Sequence, residues 1–319
     1  MYDPRNKKLE LLTLQAFERR LSANHPMKQD VLKDLKIKYA EVNGENEIKY
    51  RLRLIDKQKF IVLHNLRLQD EVGYFQMDTL TLSNYFNTVV ETKNWEGTVR
   101  FGANGQVTRI DNNGMKEGFQ NPIDQVKIQA LRLKRWLKNH DFPDIPIEYL
   151  AVISFPKTII ERETPQDIIP HELIHSSDLV FRIQEIEKNY TSPILSRNQL
   201  YHLARLLERS HCPVDVNLFE EYGVRSIDMV KGVFCTKCGA LPMNRFNGKW
   251  YCQSCKNVSI DAHKHALRDY RLLFGEWITN KQARYFLGLS SPDMTKHILR
   301  KECTEMVGMN KGKKYRLGL

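Results

Sequence analysis

The spacing of apolar residues along this chain changes several times, and each change marks an element. In the first 39 residues Leu11, Leu12, Leu14 and Phe17 fall on one side of a charged helical extension. A further helix is expected over 42–54, with Gly44-Glu45-Asn46-Glu47 on its polar face and Ile48, Leu52 and Ile55 on its apolar one. Residues 75–82 and 86–93 alternate with period two and predict two strands, with Asn84-Tyr85 as the turn of a hairpin. A second hairpin is expected over 97–110, turning at Ala103-Asn104-Gly105. Asn121-Pro122 then opens an amphipathic helix bearing Gln125, Ile128, Leu131, Leu133, Trp136 and Leu137, and 147–155 reads as a buried strand. Leu200, Leu203, Leu206 and Leu207 line a helical connector over 190–222.

The first hairpin carries candidate chemistry. Side chains on a strand repeat every two residues, so Glu91 and Lys93 project from one face, and suitable register brings Asp78 beside them. Two carboxylates suit a hard divalent ion, Mg²⁺ or Mn²⁺, which takes oxygen ligands and leaves positions for water and phosphate. A neighbouring lysine can orient a water nucleophile or steady developing charge. By itself the same spacing also fits a half-exposed strand pair with solvated charges.

Several motifs in order extend the pattern: Gly44-Glu45, Phe75-Gln76-Met77-Asp78, Glu91-Thr92-Lys93-Asn94 followed by Gly97, and Asn121-Pro122 with Gln125. On these, residues 40–157 resemble the nuclease-related domain, NERD, a branch of the PD-(D/E)xK restriction-endonuclease-like superfamily. The Leu9-Glu10-Leu11-Leu12 opening, the cysteine pairs and the length are similar to a bacillus-type subgroup, so the resemblance extends to nearly the whole chain. It implies an α/β fold, a restriction-endonuclease-like mixed sheet flanked by helices. It also implies that Asp78 and Glu91 bind metal, Lys93 is the catalytic lysine, Glu45 completes the site from a helix and Gln125 faces the scissile phosphate. Met77 stands where the superfamily often has proline. The activity implied is Mg²⁺-dependent phosphodiester hydrolysis of DNA, with RNA also open. Two alternatives stand beside it: a catalytically inactive nuclease fold that binds DNA or regulates, and a scaffold that recruits another protein.

Cys235-x-x-Cys238 and Cys252-x-x-Cys255, with 13 residues between the pairs, predict a structural zinc ribbon whose hairpin turns at Asn247-Gly248. Four thiolates would close a tetrahedral Zn²⁺ site. Two disulfides or buried free thiols are the alternatives. Cys212 and Cys303 read as apolar-type residues.

Beyond the ribbon, 262–274 reads as a helix and the following residues follow a helix-turn-helix pattern. Thr279 caps a first helix, Gly288 ends it, Ser291-Pro292 opens a second over 293–302, and 306–317 alternates around Asn310-Lys311-Gly312 as a wing. On a winged helix, Lys296 and Arg300 of the second helix and Lys311, Lys313 and Lys314 of the wing would touch phosphates. A helical pair that docks on a protein is the other reading. Charge favours the first: the net charge is +11, and from residue 256 onward 13 Lys and Arg face 6 Asp and Glu.

Several classes are disfavoured. No apolar stretch spans a bilayer and the first residues lack the core of a secretory signal, so a cytoplasmic protein without membrane partner is expected. No phosphate loop points to a nucleotide cofactor, and a homo-oligomer or protein partner is left open. His171-Glu172-Leu173-Ile174-His175 spells a zinc-protease motif, which needs a helix. Pro170 before it and Ser176-Ser177-Asp178 after it predict a short strand and turn instead. The expected organisation is an extension over 1–39, a nuclease-like domain over 40–189, a connector over 190–231, the ribbon over 232–260 and the winged-helix-like region over 261–319.

Overall fold

The computed structural model describes residues 7–102, 105–214 and 217–318. The expected turn residues Ala103 and Asn104 and the side chain of Lys311 lie outside the described residues. In chain order the elements are α1 (Lys7–Arg20), α2 (Lys28–Arg51), β1 (Ile61–Asp70), β2 (Gly73–Leu82), β3 (Asn87–Lys93), β4 (Thr98–Phe101), β5 (Val107–Ile110), β6 (Lys116–Phe119), α3 (Pro122–Lys138), β7 (Ile147–Ile153), β8 (Ile159–Arg162), β9 (Leu173–His175), α4 (Leu179–Glu187) and α5 (Arg197–Arg209). There follow α6 (Leu218–Glu221), β10 (Asn244–Phe246), β11 (Lys249–Tyr251), β12 (Val258–Ser259), α7 (His263–Phe274), β13 (Trp277–Thr279), α8 (Asn280–Leu287), α9 (Pro292–Glu302), β14 (Cys303–Val307) and β15 (Lys314–Leu317). Two compact units form, one from Ile37–Asp215 with Lys7, the other from Lys8–Lys36 and Val216–Leu319.

The first unit is a mixed α/β fold. Its main sheet runs β1-β2-β3-β7-β9; the first three strands pair antiparallel, and β3, β7 and β9 run parallel. Val89 packs in a cluster with Met77, Leu133, Trp136, Leu203 and Leu207, whereas adjacent Val90 packs with Ile48, Leu52, Leu150 and Ile183. Helices therefore cover both faces of β3, which buries charged Glu91 as well as its apolar residues. A smaller sheet, β6-β5-β4-β8, carries Val99, Phe101 and Val107 into a separate cluster with Trp95 and Ile123.

Two expectations are corrected. The helix expected over 42–54 is the end of α2, which begins at Lys28, and strand β1 was not anticipated. On α3, Ile128 and Leu131 are exposed, at 53% and 50%; the buried stripe is Ile123, Val126, Gln129, Ala130, Leu133, Trp136 and Leu137. That stripe follows the 3.6-residue repeat, and Ile128 and Leu131 fall beside it. The zinc-protease motif forms no helix, as its flanking residues led one to expect: His171 and Glu172 lie in a turn and Leu173–His175 form β9, so its histidines do not share a helix face.

Gly44, within α2, brings the helix close to the ends of β3 and β7. A Cβ there would lie 2.7 Å from Ser154 Oγ, 2.9 Å from Asn94 Cβ and 3.4 Å from Thr92 Cγ2. Alanine gains about 1 kcal/mol of helix propensity, but overpacking costs roughly 1–3 kcal/mol, and the Asn94 Cβ cannot swing aside. Gly44→Ala is expected to lower the melting temperature in a circular dichroism scan; an unchanged or raised midpoint contradicts this packing. Gly97 is equally constrained, with φ of 98° and the Ile110 carbonyl oxygen 2.2 Å from where a Cβ would stand.

In the second unit α1 residues Leu14 and Phe17 pack with Leu21, Val31, Leu218, Tyr222 and Met229. The ribbon sheet β10-β11-β12 turns at Asn247 and Gly248, both with positive φ (46° and 77°), as the Asn-Gly signal required. The tail forms α8, α9 and a three-stranded sheet β13-β15-β14. Thr279 accepts from Gln282 N–H in a capping box, Gly288 ends α8 in the left-handed region, and Ser291 caps α9. Trp250 of the ribbon and Phe286, Leu299 and Tyr315 of the tail share one cluster.

Candidate functional site

The hairpin register ends at Thr79 paired with Val90, the residues next to Asp78 and Glu91 on their strands. Asp78 sits where the alternation of β2 breaks, since Met77 and Leu80, three apart, enter the same cluster. Its partner position on β1 is Asn65, between the pairs His64–Thr79 and Leu66–Met77, and Asn65 has φ of 51°. The two irregular positions thus face each other.

Asp78 Oδ2 accepts the Thr92 N–H at 3.0 Å. Its Oδ1 lies 3.1 Å from Lys7 Nζ, and the same ammonium lies 2.5 Å from Glu45 Oε1. Glu45 Oε2 in turn accepts from Asn65 Nδ2 at 2.9 Å. One half-buried cation is therefore shared by two carboxylates from β2 and α2. Burial pulls the Lys7 ammonium downward, but Asp78 and Glu45 outweigh it and raise its pKa far above the ordinary lysine value.

The other half of the site is held from α3. Glu91 Oε1 lies 2.7 Å from Lys93 Nζ and Glu91 Oε2 accepts from Gln129 Nε2 at 2.9 Å, while Lys93 Nζ also donates to Gln125 Oε1 at 2.9 Å. Burial, then the charge of Asp78, raise the Glu91 carboxyl above its usual range; Lys93 and Gln129 oppose them. Glu45, Asp78 and Glu91 do not all close to within 4.8 Å of one another; among the described residues only the four cysteines make such a group. The acidic residues instead bracket two ammonium groups. The Lys7 ammonium sits between the Glu45 and Asp78 carboxylates, whose oxygens are of the kind that could also hold a hard divalent cation.

Residues 40–154 match the nuclease-related domain, NERD. Over 170 residues the chain is 25% identical to an uncharacterized protein of Bacillus anthracis, a stretch that covers 53% of this chain and 75% of that one. No solved structure matches.

The 40–154 segment contains Glu45, Asp78, Glu91, Lys93 and Gln125; their side chains form two groups, Glu45 and Asp78 on Lys7, and Glu91 and Gln125 on Lys93, and Asp78 meets β3 at the Thr92 backbone N–H. Three participants escaped the sequence reading. Gln129 was legible as the polar residue on the buried stripe of α3, four after Gln125. Asn65 interrupts an alternating run, which is a usable signal for a break. Lys7 lies 71 positions from Asp78 and had no local signal.

Outside the NERD segment, Cys235, Cys238, Cys252 and Cys255 bring their sulfurs within 4.8 Å of one another, with Cys235–Cys255 and Cys238–Cys252 both 3.6 Å apart. The Cys238 and Lys237 backbone N–H groups bring the Cys235 thiol down to about 6, the latter from 3.4 Å. This donor set could hold one tetrahedral Zn²⁺. Cys212 and Cys303 are half-buried and outside the group. Lys296, Arg300 and Lys314 are exposed, and Lys313 is half-exposed with Nζ 5.9 Å from the Tyr315 ring. No described helix is long and apolar enough to cross a membrane.

Proposed function

We propose that the protein hydrolyses phosphodiester bonds of DNA in a divalent-ion-dependent reaction. The observation that carries this reading is the cation seat between Glu45 and Asp78, filled by the Lys7 ammonium, beside a lysine that Glu91 and Gln125 hold in place. Asp78 and Glu91, assisted by Glu45, would hold Mg²⁺ or Mn²⁺, which when bound polarises phosphate and lowers the pKa of water. Lys93 orients the attacking water and steadies charge on the phosphate oxygens. Gln125, whose Oε1 accepts from Lys93, offers its Nε2 to phosphate, and Gln129 fixes the orientation of Glu91.

The four cysteines hold zinc as a structural ion in this reading, and Lys296, Arg300, Lys311, Lys313 and Lys314 contact phosphates. A nuclease-like part over 40–189, a connector over 190–231, a ribbon over 232–260 and a winged-helix-like part over 261–319 divide the work, and free thiols suit a cytoplasmic protein. Labelled plasmid, linear duplex, single-stranded DNA and RNA, each incubated with Mg²⁺ or Mn²⁺, test it: ion-dependent product from DNA is expected. Lys7 in the cation seat also favours a second reading, a nuclease fold that binds DNA without turnover. Salt-sensitive binding with no product from any substrate selects that reading instead.

A further inference from the structure

In the second unit, a cleft of about 480 Å³ opens among α1, the first cysteine knuckle and α7, lined by Arg19, Arg20, Phe234, His265, Arg268 and Leu272. This is within the size range of small-molecule sites. Arg20 is fully buried, and two rings flank its guanidinium, Phe234 at 4.7 Å and Phe286 at 4.6 Å. Its Nε donates to Asp269 Oδ2 at 2.8 Å and its Nη1 to the Gly232 carbonyl at 2.8 Å, whereas Nη2 has no hydrogen-bond partner among the described residues. Asp269 does not neutralise the cleft. It also pairs with Arg19, so one carboxylate serves two guanidinium groups, and Arg268 adds a third. A loaded ribbon would bring two net negative charges nearby, but the cysteine sulfurs face one another.

A buried, unpaired guanidinium donor calls for a partner. A planar fork of this kind fits a phosphate group, and an apolar wall beside it fits a ring. We propose that this cleft binds the phosphate of a nucleotide, with Arg20 Nη2, Arg19 and Arg268 on the phosphate oxygens and Phe234 and Leu272 against the remainder. Free nucleotides and the 5′-phosphorylated end of a strand present the same chemistry.

The test is calorimetric titration of the full chain, without added divalent ion so that no cleavage intervenes, using adenosine 5′-monophosphate and a short oligonucleotide with 5′-phosphate or 5′-hydroxyl. Binding of the nucleotide, or of the phosphorylated strand in preference to the hydroxyl strand, is expected, and Arg268→Ala should weaken it about tenfold, the effect of losing one charge-assisted contact. Arg20→Lys, checked for folding by circular dichroism, should weaken it similarly. The proposal is overturned if neither phosphate ligand binds, or if binding survives unchanged in Arg268→Ala and in folded Arg20→Lys. Either result leaves the nuclease reading untouched, because the readout involves no cleavage.

Discussion

Asp78→Ala and Lys93→Ala are each expected to reduce the proposed divalent-dependent cleavage by about a thousandfold or more, the scale of removing one preorganised charge from a phosphoryl-type centre. Asp78 has three environments at once: it accepts from Thr92, faces Lys7 and raises Glu91. Its loss leaves Glu45 alone on the cation seat. Lys93 is fastened by Glu91 and Gln125 and, in the proposed reaction, orients the water and supplies positive charge. Because Asp78→Ala also strips a partner from the half-buried Lys7 ammonium, Asp78→Asn is the companion variant. It keeps an acceptor for the Thr92 N–H and should be equally inactive. DNA affinity measured by anisotropy should be largely unchanged in all three variants, since most of the phosphate contacts proposed lie in the tail. Persisting cleavage by folded Asp78→Asn and Lys93→Ala removes the assigned site.

Cys252→Ala is expected to empty the ribbon of its proposed zinc and to melt its sheet. Apparent zinc affinities of such sites correspond to about 10–16 kcal/mol, far beyond what a three-stranded sheet of two- and three-residue strands supplies itself. The loss has a built-in reporter. Trp250, buried in β11, donates its Nε1–H to His263 Nδ1 at 3.0 Å and packs in the cluster that includes Cys235 and Cys252. The wild type is expected to carry one zinc per chain by elemental analysis, and the variant none, with tryptophan emission shifted to longer wavelength. A wild type that contains no zinc after expression in zinc-replete medium, or a Cys252→Ala variant with unchanged emission and melting, contradicts a structural metal ribbon.

What was legible in the sequence was local. Alternation located β2 and β3, Asn247-Gly248 marked a hairpin, and Thr279 and Ser291 marked helix starts, because each signal is written within a few residues. Strand β1 was missed for a physical reason: the left-handed Asn65 puts Leu63 and Leu66, three apart, into the same cluster, and a period-two template fails there. The start of α2 was obscured because residues 28–41 are mostly polar and bury only Val31 completely. At the site, the Asp78, Glu91 and Lys93 spacing was readable, but Lys7 reaches it from elsewhere in the chain, and tertiary folding alone brings it there. The carboxylates therefore bracket ammonium groups where the spacing suggested a single shared ion.

The central claim is that Glu45 and Asp78 make a seat that a divalent ion takes from Lys7. Crystals of the full chain soaked in Mn²⁺ test it most directly through anomalous scattering. The account predicts a peak within bonding distance of Asp78 and Glu45 and the Lys7 ammonium withdrawn from both. A Mn²⁺-saturated crystal of cleaving protein with Lys7 still between the two carboxylates, and no ion beside them, contradicts it.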